Sequence, residues 1–555
     1  MERRKLLEQI ISNSPNKSNK YSEIDNVNAK ILIPSSLKKY EGVWNNKTAG
    51  HLLRRTTMGF TYNMLDEAKN IGMKETIKKL FEKKLPITLP INYNNPSDTA
   101  PLGTTWVNEK NRVTNEFYRF HSLSGWWFGE MLNSGTNINM KMSLFLLNNF
   151  VTEYSIVQDA RLYYIYTRLL IDNSLGNFRD IIEKITIDPS MLFYLNGEKN
   201  TRIAPNENFA RELFELFTIG KGPLINSGDY TYYTEDDIKE AAKVLTGWQI
   251  DRLNNKNIFR SNRHDKNDKK FSYIFNNKVI KNNDDKEYID LIDMIFEHPQ
   301  TAINYCKKLY RWFVNYEIST EVETNIIIPM ANLLRENNYN IMPVLQVLLT
   351  SEHFYDYQTI GCQLKNPLEF IINVYNNTNQ KQYMPDYIKQ YALMYTWGVA
   401  IGASQEMTLG DPPSVAGWAA YYQTPNYYQI WVNSVTLSAR NGITDIMLNG
   451  IGIKRNGVEI KIDPKIVIEQ FKDASDPNIL INELNDLFFA IELTSNQKAY
   501  LKLFLVSEGI PDYVWSSAWE QYLVEPNNKE NTNIVDLKLR LLFATIFAMS
   551  EYQLN

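Results

Sequence analysis

The chain has 555 residues, of which 59 are basic and 63 acidic, for a formal net charge of −4. Charge this close to balance excludes the basic stripe that binding to a nucleic-acid backbone requires; the lysines of KNDKK (Lys266 to Lys270) are too few and too mixed with Asp to supply it. A hydrophobic content of 44%, with 34 Tyr and 11 Trp, suffices for a large core, and the length predicts two or three packed subdomains.

Helical periodicity dominates and strand alternation is scarce, which predicts an all-α, mainly helical globule with one or two short β-hairpins. Residues 1–45 are rich in Asn, Ser and Lys and read as a polar arm. A helical subdomain is expected over 46–250. It carries APNENFARELFELFTIG (Ala204 to Gly220) and YTEDDIKEAAKVLTGW (Tyr233 to Trp248). In the first segment Pro205 suits the first helical position and Gly220 the left-handed position that closes a helix. Phe209, Leu213, Leu216 and Phe217 form one apolar face, while Glu207, Arg211 and Glu215 make an i, i+4, i+8 charge ladder with Glu212 beside it. The plain reading is a solvated helix laced by ion pairs. Asn206, Asn208 and the second helix nearby favour a site. In that second helix Thr234 and Asp237 form a capping-box pattern, and Glu240 and Lys243 continue a polar face before Gly247 and Trp248.

Residues 251–285 break the pattern as a polar insertion, with a hairpin expected around Phe271 to Ile280 turning at Asn276 and Asn277. Helices resume over 286–440, interrupted by the irregular DPPSVAGW loop (Asp411 to Trp418). A C-terminal helical subdomain follows over 441–555, with a second hairpin expected to turn at Asn456-Gly457. The two cysteines, Cys306 and Cys362, fit a reducing compartment. MERRKLLEQIISNS lacks the apolar core of a signal peptide, and LLFATIFAM (Leu541 to Met549) is too short to span a bilayer. Cytoplasmic residence without a membrane span is the expectation; export carried by a partner would escape this reading.

Five histidines are present. His51, His298 and His353 lie at helix ends or on apolar helices and read as structural. His264 stands in a polar loop beside Asp265, where it reads either as solvated or as a general base or metal ligand. There is no Cys-His metal spacing, HExxH, phosphate-binding glycine loop or nucleophile elbow. Trp418, Tyr421, Tyr422, Tyr427, Tyr428 and Trp431 crowd one region, as core under a loop or as a platform for sugar rings or a partner.

The two helices, with AGHLLRRTTMGF (Ala49 to Phe60), LGNFRDIIEKITIDPSMLFYLNG (Leu175 to Gly197), RHDKNDKKF (Arg263 to Phe271) and DPPSVAGW, resemble in order the large bacterial family catalogued as domain of unknown function 1800. The resemblance implies no settled chemistry. It implies a protein partner of the domain of unknown function 1501 family, which resembles the alkaline phosphatase and sulfatase superfamily. Where many relatives resemble WHNHF, this chain reads LLNNF (Leu146 to Phe150), so Leu147 and Asn149 replace both histidines and the nitrogen ligands that select zinc or iron are lost. No metal centre is expected beyond a weak calcium or magnesium site on carboxylates.

Three functional readings follow. The first is a partner-dependent assembly or binding protein acting with a hydrolase-like partner. The second is a hydrolase using Glu212, Glu215, His264 and Asp265, with Asn206, Glu207, Arg211, Asp237, Trp248, Asp411 and Trp418 as binding residues. The third is a polysaccharide-binding protein built on the Tyr/Trp surface. The loops 251–285 and 402–424 are expected to converge near Glu207, Arg211 and Glu212.

Overall fold

Asn45 accepts from the backbone N–H groups of Lys47 and Thr48, and the Thr48 hydroxyl accepts from the Asn45 N–H in return; this capping box starts α1 (Asn46–Thr56). The computed structural model describes residues 36–86, 88–110, 115–226, 229–379, 391, 393–449, 453–455 and 458–555. After α1 come α2 (Tyr62–Leu80), α3 (Glu116–Leu132), α4 (Asn139–Asn149), α5 (Ala160–Asp172), α6 (Phe178–Thr186) and α7 (Glu207–Glu212). The chain continues through α8 (Glu235–Val244), α9 (Glu287–Glu297), α10 (Pro299–Phe313), α11 (Pro367–Asn377), α12 (Ser434–Leu448), α13 (Pro477–Phe488) and α14 (Lys529–Ala548), with further helices, among them Ile328–Glu336, Ile341–Leu349 and Tyr513–Val524, between these. Side-chain caps of the Asn, Asp, Ser and Thr type open most of them, as at Asn177 before α6 and Asn366 before α11.

Strand is confined, among the described residues, to four two-stranded antiparallel hairpins: β1 (Leu224–Asn226) with β2 (Asp229–Tyr230), β3 (Trp248–Asp251) with β4 (Lys256–Phe259), β5 (Lys269–Lys270) with β6 (Val279–Ile280), and β7 (Ile453–Arg455) with β8 (Val458–Ile460). The protein is therefore mainly α-helical. The β5–β6 pair begins two residues earlier than expected, because Tyr273–Phe275 forms a 3₁₀ turn and Asn276 and Asn277 both take left-handed backbone. The Asn456-Gly457 turn of β7–β8, like the arm up to residue 35, lies outside the described residues. The β3–β4 hairpin was not visible in the sequence. α8 ends at Val244, before Gly247 and Trp248, and Gly247, at φ +95°, turns the chain into β3.

Ser36–Asn555 forms one compact unit, and the subdomain limits expected at 250, 285 and 440 all fall within it. One continuous apolar cluster links Leu53 of α1, Leu144 of α4, Phe209 of α7, Leu309 of α10, Leu487 of α13 and Phe543 of α14. Among the described residues no helix is long and apolar enough to cross a membrane.

Candidate functional site

α7 is shorter than the four turns the sequence predicts. It begins at Glu207 rather than at Pro205, capped by Asn206, which accepts from Asn208 N–H at 3.0 Å, and after Glu212 the backbone widens into a π-helical turn over Leu213–Phe217. Such a turn leaves carbonyls exposed at its end, and π turns gather at functional sites. Side chains of α10 take those carbonyls up. Lys308 Nζ donates to Leu216 O, Tyr305 Oη to Phe217 O at 2.7 Å, and Asn304 Nδ2 to Thr218 O at 2.6 Å. A cationic side chain there also suits the negative end of the helix dipole.

The charge ladder of α7 is tied to a second element. Arg211 makes a bidentate pair with Glu235 of α8, at 2.7 and 2.6 Å, and only looser contacts with Glu207 and Glu215 of its own segment, at 3.5 and 3.7 Å. Glu215 also accepts from the Tyr233 hydroxyl and lies 3.5 Å from Lys221. Burial, reinforced by the charge of Glu215, raises the Glu212 carboxyl above its usual range.

Glu215 faces a cavity of ≈ 160 Å³ between α4, the π turn, α10 and the DPPSVAGW loop. Asn148 and Asn149 from the end of α4, Asn304, Lys308 and Arg311 from α10, and Val415 and Ala416 from the loop line it. An adjoining hollow shares Arg311, Trp312 and Tyr421 with it and is closed by Lys141, Gln363, Glu369, Tyr427, Tyr428 and Trp431. Together they make one cleft with aromatic walls. Trp312 and Tyr421 rings lie 4.4 Å apart, and Tyr316 packs 5.3 Å from Tyr427 and 4.8 Å from Tyr428. Trp431 is buried, while Tyr422 at the rim is 45% exposed.

The loop is fastened at both ends. Asp411 accepts from Ser155 N–H and Oγ–H at 3.1 and 2.9 Å, and Trp418 N–H donates to Asn148 Oδ1 at 3.0 Å. Gly417 runs at φ +89°, where a Cβ would stand 2.4 Å from Asn148 O, so only glycine lets the loop lie against the end of α4. Trp418 itself is 1% exposed and belongs to the core.

His264 and Asp265 are elsewhere. His264 is fully buried, with Nδ1 2.9 Å from Thr246 O and Nε2 2.8 Å from Glu287 Oε2; Lys269, also buried, pairs with Glu287 at 2.5 Å. Asp265 N–H donates to Thr246 Oγ1 at 2.9 Å, and its carboxylate accepts from Asn267. This network fixes the 251–285 insertion to β3, α8 and α9, and neither His264 nor Asp265 lines the cleft. Asp237 does similar work, accepting from Thr234 and from Ser272 N–H and Oγ–H, and Trp248 packs 5.6 Å from Tyr288. Both expected loops do reach the α7 segment, but at different residues: Phe275 of the insertion packs 5.7 Å from Phe214, and Val415 and Ala416 share the cavity with Glu215. Cys306 and Cys362 are free thiols, and among the described residues no group of three or more His, Cys, Asp or Glu is placed to hold a metal.

The profile of a family described as protein of unknown function (DUF1800) matches residues 51–554. The chain belongs to that family. No curated protein matches it, and no solved structure does. In this family member the departure at Leu147 and Asn149 has a clear setting: Leu147 is buried in the core, whereas Asn149 lies at the cleft with its amide donating to Phe145 O at 2.8 Å. Cleft residues that the sequence did not single out include Lys141, Gln363 and Glu369 and, on α10, Asn304, Lys308, Arg311 and Trp312. The α10 residues were the findable ones. Their signal was present in TAINYCKKLYRWFV, since 304, 308 and 311 recur at i, i+4 and i+7 as a polar stripe on an otherwise apolar helix.

Proposed function

We propose that this protein is a binding protein whose cleft receives a polar, ring-bearing ligand, a saccharide unit being the chemistry that suits it best. The observation that carries this is the pairing of aromatic walls, Trp312 with Tyr421 and Tyr316 with Tyr427 and Tyr428, with amide side chains, Asn149, Asn304 and Gln363, in one recess. Aromatic faces take the apolar face of a sugar ring; each amide has one N–H bonded to a backbone carbonyl, Phe145 O, Thr218 O or Arg311 O, and its oxygen and second N–H satisfy the ring hydroxyls. Binding is favoured over hydrolysis because the carboxylates of the cleft are already engaged. Glu215 is held by Tyr233, Arg211 and Lys221, and Glu369 by Lys141 and Asn555. A hydrolase-like protein partner acting on the held ligand, as the family resemblance implies, completes this reading. Near-balanced charge supports a ligand other than nucleic acid, and two free thiols support a reducing, cytoplasmic setting.

Titration calorimetry of the full chain with neutral and acidic oligosaccharides tests the proposal. Micromolar to millimolar binding that Tyr422→Ala and Tyr427→Ala each weaken about tenfold, the equivalent of ~1.4 kcal/mol, is expected. Absence of binding across the series overturns it. The proposal includes no transition metal at the cleft, because Leu147 is buried and the Asn149 amide is bonded to Phe145 O. Elemental analysis finding close to one zinc or iron per chain would contradict that.

A further inference from the structure

The charges lining the cleft do not cancel. Lys141 is neutralised by its ion pair with Glu369, both nearly fully buried, and Glu215 by Arg211 and Lys221. Lys308 and Arg311 remain. Lys308 donates only to a backbone carbonyl, Leu216 O. Arg311 uses Nε on Tyr316 O at 3.3 Å and lies 5.4 Å from the centre of the Tyr427 ring. Among the described residues, neither of its terminal nitrogens meets an acceptor, and no carboxylate pairs with either cation. Two cations one helical turn apart, both facing the same cavity, repel one another, and the pair is stabilised by an anion placed between them. The Nε bond to Tyr316 O and the contact with Tyr427 hold the guanidinium, leaving its two terminal nitrogens for a bidentate contact.

We infer that the cleft is an oxyanion-binding site, taking a ring-bearing ligand that carries a carboxylate or sulfate group, with the Arg311 guanidinium forking to the oxyanion and the Lys308 amine as the second donor. This rests on the saccharide reading for the ring and on the charge balance alone for the anion. Burial and the nearby guanidinium push the Lys308 ammonium down to about 7, as expected of a cation held without its counter-ion. Asn149 and Asn304 offer further N–H groups around the same space.

The test titrates a uronic-acid trisaccharide, its carboxyl-reduced neutral counterpart and inorganic sulfate into the full chain and into Arg311→Gln and Arg311→Lys, with circular dichroism and thermal melting showing that the variants fold. The acidic sugar is expected to bind the parent chain at least tenfold more tightly than the neutral one. Arg311→Gln should erase that preference, and Arg311→Lys, which keeps the charge but not the fork, should retain only part of it. Equal binding of acidic and neutral sugars overturns the inference while leaving the saccharide reading standing. Arg311-dependent binding of sulfate with no binding of either sugar upholds the anion site and defeats the saccharide reading. If no probe binds in an Arg311-dependent way, the inference fails.

Discussion

Arg211 shows how a residue found by pattern gains its meaning from a partner the pattern does not name. Spacing identified Glu207 and Glu215 as its neighbours, yet its strong contact is the two-pronged pair with Glu235, from a helix that begins 24 residues later. A ladder on an exposed helix contributes a few tenths of a kcal/mol, whereas a half-buried bidentate pair between two elements contributes about 1–2 kcal/mol. Arg211→Ala should therefore lower the unfolding free energy by about 1–2 kcal/mol in denaturant titration. An unchanged midpoint would mean that the two helices are not held together by this pair.

Burial, with the charge of Arg55, holds Lys141 of the adjoining hollow down to about 7, and beside the anion site the titrating group is Lys308. Its folded pKa, about 7, lies below the ordinary 10.5, so between these values the folded chain holds fewer protons than the unfolded one, and this group makes stability rise with pH across that window. Arg311 on its own helix pushes in the same direction, and Glu215, the carboxylate facing the same space, is taken up by Arg211 and Lys221. An anion bound beside Lys308 raises its pKa, so binding at pH 8 should draw a fraction of a proton, up to one, from the buffer. Calorimetry in buffers of different ionisation enthalpy measures this. Lys308→Met should abolish the uptake, and no uptake in the parent chain would contradict the assignment.

At the scale of elements, apolar periodicity and caps made most helices legible, since burial of one face and satisfaction of the first N–H groups are local requirements. Lengths were less legible. The π turn after Glu212 is stabilised by Asn304, Tyr305 and Lys308, about 90 residues away, and nothing within Ala204 to Gly220 announces it. The same distance explains why His264 beside Asp265 read as a candidate base: adjacency in sequence said nothing of Glu287 and Lys269, which seal it in the interior. Lys269→Met leaves Glu287 buried without its cation and should cost about 3–5 kcal/mol, while oligosaccharide affinity of the folded fraction stays as it was. Loss of affinity at unchanged stability would instead place this network in the site.

At the scale of the whole molecule, composition and period were enough for a mainly helical globule, because those signals sum over many residues. The cleft was only half legible. The DPPSVAGW loop, the Asn148-Asn149 block and Glu215 stood out one by one, but their meeting depends on Gly417 lying against Asn148 and on a stripe of α10 that reads, locally, as ordinary amphipathic helix. The cleft joins five segments that are far apart in sequence, so a bound ligand should quiet all five together. Hydrogen–deuterium exchange of the full chain with and without an acidic oligosaccharide measures this directly. Protection is expected over residues 145–149, 213–218, 304–316, 363–369 and 411–431, with 261–287 unchanged; protection centred on 261–287, or none in the five segments at saturating ligand, would contradict the cleft as the binding site.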